Sequence, residues 1–244
     1  MLNKNNLIHQ GNLFFKLRGF LPVIIIVISI CIIFYFPVNY NQSFQVVFYS
    51  CAFILIILGH FIRATTVGKR YKHSSGRNRS HHFADRLNKT GWYSMTRNPL
   101  YFANFCIWIG ISLLTFNLLI LSITILFFWF MYRPIILSEE NYLTLKFGDD
   151  YISWAENTST FFPNFLKYQK NKTPISFRTI LKNEYPGMSA TLTCIFIVEL
   201  IKGISFNQEY LFQTWHVYYL FSIAFFSISM KWIKHKTKLF YDED

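Results

Sequence analysis

Charge is scarce in this chain, and acid scarcer still. Only 15% of the 244 residues are Asp, Glu, Lys or Arg, with 12 acids against 24 Lys and Arg. A soluble domain carries about 25% charged residues, so an ordinary water-soluble domain is a poor fit. Cysteine is equally thin. Cys31, Cys51, Cys106 and Cys194 all fall in apolar runs and lack C-x-x-C spacing, so neither a disulfide framework nor a zinc site is indicated, and each reads as a small apolar side chain. No G-x-G-x-x-G occurs, which excludes a Rossmann unit for a nucleotide cofactor. There is no internal repeat and no low-complexity linker. Phe36-Pro37-Val38-Asn39, after the first apolar run, offers no small-residue cleavage pattern, so that run reads as a retained helix.

What the chain has instead is apolar and aromatic surface: 52% hydrophobic residues, 20% aromatic and a mean hydropathy of +0.27. The apolar runs are Phe20–Phe36, Phe44–Ile62, Leu100–Phe116, Leu118–Ile136, Met188–Phe206 and Thr214–Trp232. Each approaches the roughly 20 residues that cross a hydrocarbon core as a helix. The expected fold is therefore an all-α integral membrane protein of about six transmembrane helices. Residues 1–187 form its core, and 188–244 add two further spans and a basic tail. Basic residues collect on one side of these spans. Lys4, Lys16 and Arg18 precede the first, and Arg63, Lys69, Arg70, Lys72, Arg77, Arg79, Arg86, Lys89 and Arg97 lie between the second and third against the single acid Asp85. Arg133–Gly187 and the tail, with Lys231, Lys234, Lys236 and Lys238, fall on the same side. The short connections at Pro37–Ser43 and Asn117 are uncharged. Basic loops stay cytoplasmic, so both termini are expected there, in an inner membrane of bacterial type. The net charge of +12 records this topology. Divided among tethered loops, it does not read as nucleic-acid binding.

Two blocks carry the chemistry. The first, Thr90–Phe105, reads TGWYSMTRNPLYFANF, a polar basic segment running into an apolar helix. Pro99 suits a first helical turn, and Asn98 is placed to cap it, leaving free N–H groups and a partial positive charge at the membrane surface. That arrangement is either a simple helix start with an interfacial arginine or a place where an anion is stabilised. The second block follows the fourth span: Arg133-Pro134, Glu139-Glu140, Leu143, Phe147-Gly148, Tyr151, Trp154 and Phe162-Pro163. Adjacent carboxylates there suit the first turn of an interfacial helix. But spans three and four are separated by little more than Asn117, which forces a tight antiparallel hairpin. Its inner ends return together and bring Glu139 and Glu140 towards Arg97 and Tyr101. Carboxylates beside an arginine, walled by Tyr93, Tyr101, Tyr151 and Trp154, suit a ligand bearing an amine, a carboxylate, a purine and a cationic sulfur. Aromatic faces attract such cations by about 0.5–2 kcal/mol each.

The two blocks resemble those of the isoprenylcysteine carboxyl methyltransferases and their phospholipid methyltransferase relatives. The shared pattern is Gly-x-Tyr-x3-Arg-His-Pro-x-Tyr followed by Glu-Glu-x2-Leu-x3-Phe-Gly-x2-Tyr and a closing proline. Here it is carried by Gly91, Tyr93, Arg97, Pro99 and Tyr101, then Glu139, Glu140, Leu143, Phe147, Gly148, Tyr151 and Pro163. The likeness covers roughly Phe44 to Pro163. It implies a cytosolic pocket for S-adenosylmethionine built from Tyr93, Arg97, Asn98, Pro99, Tyr101, Glu139, Glu140 and Tyr151. Two positions depart from the pattern: Asn98 stands where histidine is commonest, and Ala103 where glycine often follows the tyrosine. Asparagine keeps a donor and an acceptor but cannot titrate, which weakens an acid–base role.

Methyl transfer from a sulfonium is an in-line displacement governed by positioning and electrostatics. A phosphate or carboxylate acceptor is already anionic and needs cations, whereas an amine acceptor must first lose a proton and favours nearby carboxylates. The loop from Arg63 to His82 is rich in hydroxyls, glycine and arginine, residue types that grip phosphate. It reads either as such a grip or as a positive-inside loop against anionic headgroups. It also resembles a bacterial branch of the family similar to lipid A phosphate methyltransferases. Arg63, Arg77, Arg79 and Arg133 are the expected anion-binding residues, with Arg97 and Arg133 at the reacting groups. His73, His81 and His82 lack a partnering acid, so no metal is expected. Glu199 with Lys202 three residues on is either a helical ion pair or an intramembrane site. Two further readings remain. One is a sterol- or enone-type membrane reductase, whose usual His-Pro-Asn-Tyr is replaced here by Asn98-Pro99-Leu100-Tyr101. The other is a non-catalytic lipid-binding or transport protein, although the inverted repeats and mid-membrane breaks of transporters are not found.

Overall fold

The computed structural model describes residues 4–38, 41–69, 84–206 and 214–237. All of its regular elements are helical: α1 (Lys4–Leu17), α2 (Leu21–Tyr35), α3 (Gln42–Gly68), α4 (Trp92–Met95), α5 (Pro99–Leu114), α6 (Leu118–Phe147), α7 (Asp149–Glu156), α8 (Phe177–Phe206) and α9 (Thr214–Lys236). A short 3₁₀ turn, Phe165–Lys167, lies between α7 and α8. Among the described residues the only β-type pairing is the bridge between Gly91 and Gln169.

Every expected apolar run is helical, but they differ in reach. Three helices, Gln42–Gly68, Leu118–Phe147 and Phe177–Ser205, are long and apolar enough to cross a membrane. The pair α1 and α2, bent by 76° at the turn around Gly19, makes a fourth if taken as one broken span. Helix α5 has 16 residues, about 24 Å at 1.5 Å per residue, against a hydrocarbon core of about 30 Å. Helix α1 has no counterpart among the expected spans. Its Phe15 is buried in the main aromatic cluster with Phe128, Met131, Tyr132, Ile135 and Phe161, which seats α1 along α6.

The hairpin is as tight as its sequence demands. The Asn117 side chain accepts from the N–H groups of Leu119 (2.9 Å) and Ile120 (3.3 Å), capping α6. Its own amide donates to the carbonyl of Phe36 (3.2 Å), which ties the end of α2 to the turn. Helices α3 and α5 approach unusually closely because small residues face each other. A Cβ on Gly59 would lie 2.7 Å from the Ala103 carbonyl, and one on Gly110 2.7 Å from the Ala52 carbonyl. This is the close-packing device of membrane helices, in which small residues replace hydrophobic driving force with contact.

Helix α8 is held to this core by polar pairs along α3. Arg63 meets Glu184, His60 meets Thr191 at 3.0 Å, and Tyr49 meets Glu199 at 3.0 Å. Lys202 is 6% exposed. Its ammonium contacts Glu199 at 2.8 Å and donates to the Leu114 carbonyl at 2.7 Å and the Tyr49 hydroxyl at 3.1 Å. The Lys202 ammonium also lies 3.9 Å from the Phe116 ring centroid. The Glu199–Lys202 pair therefore bolts α8 to the Asn117 end of the hairpin and closes the last turn of α5.

Candidate cofactor pocket

The end of the hairpin opposite Asn117 gathers the two blocks. Arg97 sits in the turn between α4 and α5, its backbone N–H donating to the Ser159 carbonyl at 2.8 Å. Its Nε lies 3.1 Å from Glu140 Oε1 on α6, with both side chains about one-fifth exposed. The remaining guanidinium nitrogens donate to the Ala155 carbonyl (3.5 Å) and to the Thr160 hydroxyl. Tyr101, one turn into α5, donates to Glu139 Oε2 at 2.8 Å. Thus Arg97, Tyr101, Glu139 and Glu140, which lie about forty positions apart in sequence, form two facing pairs.

Four polar atoms at this end have no hydrogen-bond partner among the described residues although they are buried: Arg97 Nε, Glu140 Oε1, Tyr151 Oη and Trp154 Nε1. The Arg97–Glu140 contact is close enough for attraction but is not aligned as a hydrogen bond. Tyr151 and Trp154 stand on α7 with ring centroids 5.6 Å apart. Burial pushes the Tyr151 phenol above its ordinary range, and the Glu140 carboxylate adds to that rise while Arg97 opposes it. The phenol therefore stays protonated and remains a donor. Gly148, at φ +52°, makes the turn from α6 into α7 in a conformation that L side chains rarely adopt. Arg97 Nε and Glu140 Oε1 face each other as an ion pair, which leaves Tyr151 Oη and Trp154 Nε1 unmatched. A buried unmatched polar group costs about 1–3 kcal/mol, so two in one place beside that pair suit a polar ligand. Donors from Tyr151 and Trp154, an arginine and a carboxylate match the carboxylate, amine and sulfonium of S-adenosylmethionine.

Other expected residues go elsewhere. Asn98 is the residue just before α5, at the N-cap position, but its side chain does not cap the helix. Its amide donates to the Thr160 carbonyl at 2.9 Å, and its backbone carbonyl receives Tyr101 N (3.1 Å) and Phe102 N (3.0 Å). The strap Thr158–Asn164 has claimed it, which leaves Asn98 8% exposed, and Pro99 beside it is buried. Tyr93 lines a separate cavity of about 260 Å³ with Thr66, Lys69, Asn88, Trp92 and Asn171, among others. Arg63 makes a bidentate pair with Glu184 (2.6 and 3.1 Å) and donates to Asn104 Oδ1 at 2.6 Å, so its charge is already matched. Arg133 is exposed on α6. Arg77, Arg79, His73, His81 and His82 lie outside the described residues. Sequence reasoning overlooked Asn104, Tyr132, Thr160 and Glu184, whose contacts run between distant segments and have no local spacing.

Residues 47–150 match the phospholipid methyltransferase family. The matched segment contains the hairpin and all four residues of the facing pairs. The chain is 33% identical over 116 residues to the protein-S-isoprenylcysteine O-methyltransferase of Saccharomyces cerevisiae, covering 45% of this chain and 46% of that one. It is 37% identical over 89 residues to the nickel-cobalt-cadmium resistance protein NccN of Alcaligenes xylosoxydans xylosoxydans, covering 36% and 40%. The cobalt-zinc-cadmium resistance protein CzcN of Cupriavidus metallidurans is 31% identical over 87 residues, covering 36% and 40%. The chain thus spans less than half the length of the curated relatives it matches. No solved structure matches it. Tyr151, Trp154 and Thr160 lie beyond the matched segment, so α7 and the strap add to the Arg97 and Glu140 surroundings from outside it.

Proposed function

We propose that this protein is a membrane methyltransferase that uses S-adenosylmethionine and transfers the methyl group to an anionic oxygen, phosphate or carboxylate, of a lipid or lipidated substrate. The supporting observation is the convergence of Arg97–Glu140 and Tyr101–Glu139 beside the unmatched buried Tyr151 hydroxyl and Trp154 indole N–H. When bound, S-adenosylmethionine supplies a methyl group activated by its cationic sulfur. Arg97 would hold the carboxylate of the cofactor, Glu139 and Glu140 its cationic groups, and Tyr151 and Trp154 would donate to its acceptors. Asn98 and Pro99 set the start of α5, and Tyr93 extends the wall towards the neighbouring cavity.

None of these positions needs to move a proton, because the proposed acceptor is already an anion. Charge and placement then account for the rate, in a displacement in line with the departing sulfur. Arg133, exposed on α6, is assigned to the substrate anion, with Arg77 and Arg79 from the basic loop. The proposed setting is an inner membrane with six spans and both termini in the cytoplasm. The test supplies methyl-labelled S-adenosylmethionine to membranes with and without the protein and identifies the labelled lipid. Label in a phosphate or carboxylate ester supports the reading. Label on an amine keeps the cofactor and refutes the acceptor, and binding of a nicotinamide nucleotide in place of S-adenosylmethionine refutes both.

A further inference from the structure

A chain of side chains from α8 fixes which way one buried hydroxyl points its hydrogen bond. Glu184, 3% exposed, accepts from Arg63 Nε and NH2 at 2.6 and 3.1 Å. Arg63 NH1 donates to Asn104 Oδ1 at 2.6 Å, and Asn104 Nδ2 donates to Tyr132 Oη at 3.1 Å. Guanidinium has donors only, so the Asn104 oxygen must face Arg63 and its NH₂ must face Tyr132. The Tyr132 oxygen is then an acceptor at that contact, and its own proton must be given elsewhere. Among the described residues nothing takes it. Tyr132 is 3% exposed and lies edge-on to Tyr101 with ring centroids 5.0 Å apart, next to the Tyr101–Glu139 pair.

Depth decides which ligand this donor meets. Tyr132 stands about two turns nearer the apolar middle of α6 than Glu140, about 12 Å at 1.5 Å per residue. It is surrounded by Phe128, stacked at 4.1 Å, and Trp108 at 6.0 Å. The soluble, charged cofactor belongs at the level of Arg97 and Glu140, whereas an amphiphile arrives from the apolar side.

Resting on the methyltransferase reading, we propose that Tyr132 donates a hydrogen bond to an oxygen of the lipid acceptor's headgroup. Glu184, Arg63 and Asn104 act as positioning residues that set its polarity. Glu184 comes from outside the matched segment, so α8 contributes to substrate placement as well as to packing.

The decisive variant is Asn104→Asp. A carboxylate at this position accepts from both Arg63 and Tyr132, so the Tyr132 proton turns inward while the side-chain volume is kept. Purified wild type, Asn104→Asp, Tyr132→Phe and the double variant are compared with tritiated S-adenosylmethionine and the lipid extract of the expression host's membranes as acceptor. The expected result is a rise of about five- to tenfold in KM for the lipid in each single variant, the size of one lost hydrogen bond. The double variant is no worse than either single one and cofactor affinity is unchanged. A second carboxylate beside the already matched Arg63 is expected to lower the melting temperature of Asn104→Asp, so KM is read below the melt, where Tyr132→Phe keeps the comparison free of that charge. A purely structural network predicts instead that Asn104→Asp is harmless to KM. Wild-type lipid KM in both single variants, or a loss confined to cofactor affinity, overturns the inference while leaving the methyltransferase reading standing. If the wild type transfers no methyl group, that reading falls and this inference falls with it.

Discussion

Replacing Glu140 with glutamine separates a cofactor site from a helix-end brace. The carboxylate lies 3.1 Å from Arg97 Nε with both groups about one-fifth exposed. At an effective dielectric of about 20, the attraction at that distance is about 5 kcal/mol, and desolvation of the two ions cancels much of it. The glutamine keeps the volume, and Arg97 keeps its contacts to the Ala155 carbonyl and the Thr160 hydroxyl. The guanidinium is therefore not stranded, and the stability loss is held to about 1–2 kcal/mol, below the 3–5 kcal/mol that follows when a buried charge loses its partner altogether. Binding is affected more strongly. A contact to a charged group is worth about 1.5–3 kcal/mol, so the Kd for S-adenosylmethionine is expected to rise roughly 10- to 100-fold. Equilibrium binding of tritiated cofactor to detergent-purified protein measures this directly, an intrinsic-fluorescence melt follows stability, and Glu156→Gln on the exposed end of α7 is the control. An unchanged Kd together with a lowered melting temperature would falsify the cofactor assignment and leave the pair as a brace between α5 and α6.

Tyr151→Phe removes a buried hydroxyl that has no partner among the described residues. It should leave stability unchanged or slightly raised while weakening S-adenosylmethionine binding about fivefold, a separation that the same two assays detect. Because burial raises the Tyr151 phenol above the usual tyrosine range, its contribution to folding is fully present below about pH 10 and is lost only as pH rises through the higher folded value. A wild-type-minus-Tyr151→Phe ultraviolet difference titration should show this phenol ionising later than an ordinary tyrosine, and ionisation at or below pH 10 refutes the burial argument. Lys202→Met strands Glu199 and the Leu114 carbonyl, with an expected cost of about 3–5 kcal/mol. The double change Lys202→Met with Glu199→Leu should recover most of that loss in a thermal melt, and a double variant as unstable as the single one refutes the pairing. Gly59→Ala forces its new Cβ against the Ala103 carbonyl and should lower stability by about 1–3 kcal/mol. A melt equal to wild type shows that α3 and α5 are not so close.

Sequence reached the site through geometry more than through chemistry. Asn117 between two apolar runs dictates a hairpin, and a hairpin of those lengths returns Arg97 and Tyr101 to Glu139 and Glu140, which is where the structure has them. The failures share one physical cause. Asn98 was legible as a helix start because capping is local, yet its amide turned to the Thr160 carbonyl, 62 positions away, which no local rule anticipates. Arg63 reads with Arg77, Arg79 and Arg133 as an anion-binding residue, because a basic loop rich in hydroxyls says nothing of the partner each cation finds. Glu184, 121 positions away and itself in a mixed-charge stretch, matches the Arg63 charge in full. The same blindness hid α1, whose polar residues made it read as a flank to a span, although Phe15 is part of the aromatic cluster. In a membrane chain the apolar runs announce themselves by length, but the polar residues that remain acquire meaning only from the partner each finds. That is why Glu139 and Glu140 could be placed from a hairpin, whereas the direction of the Tyr132 hydrogen bond could emerge only once Glu184, Arg63 and Asn104 were seen in line.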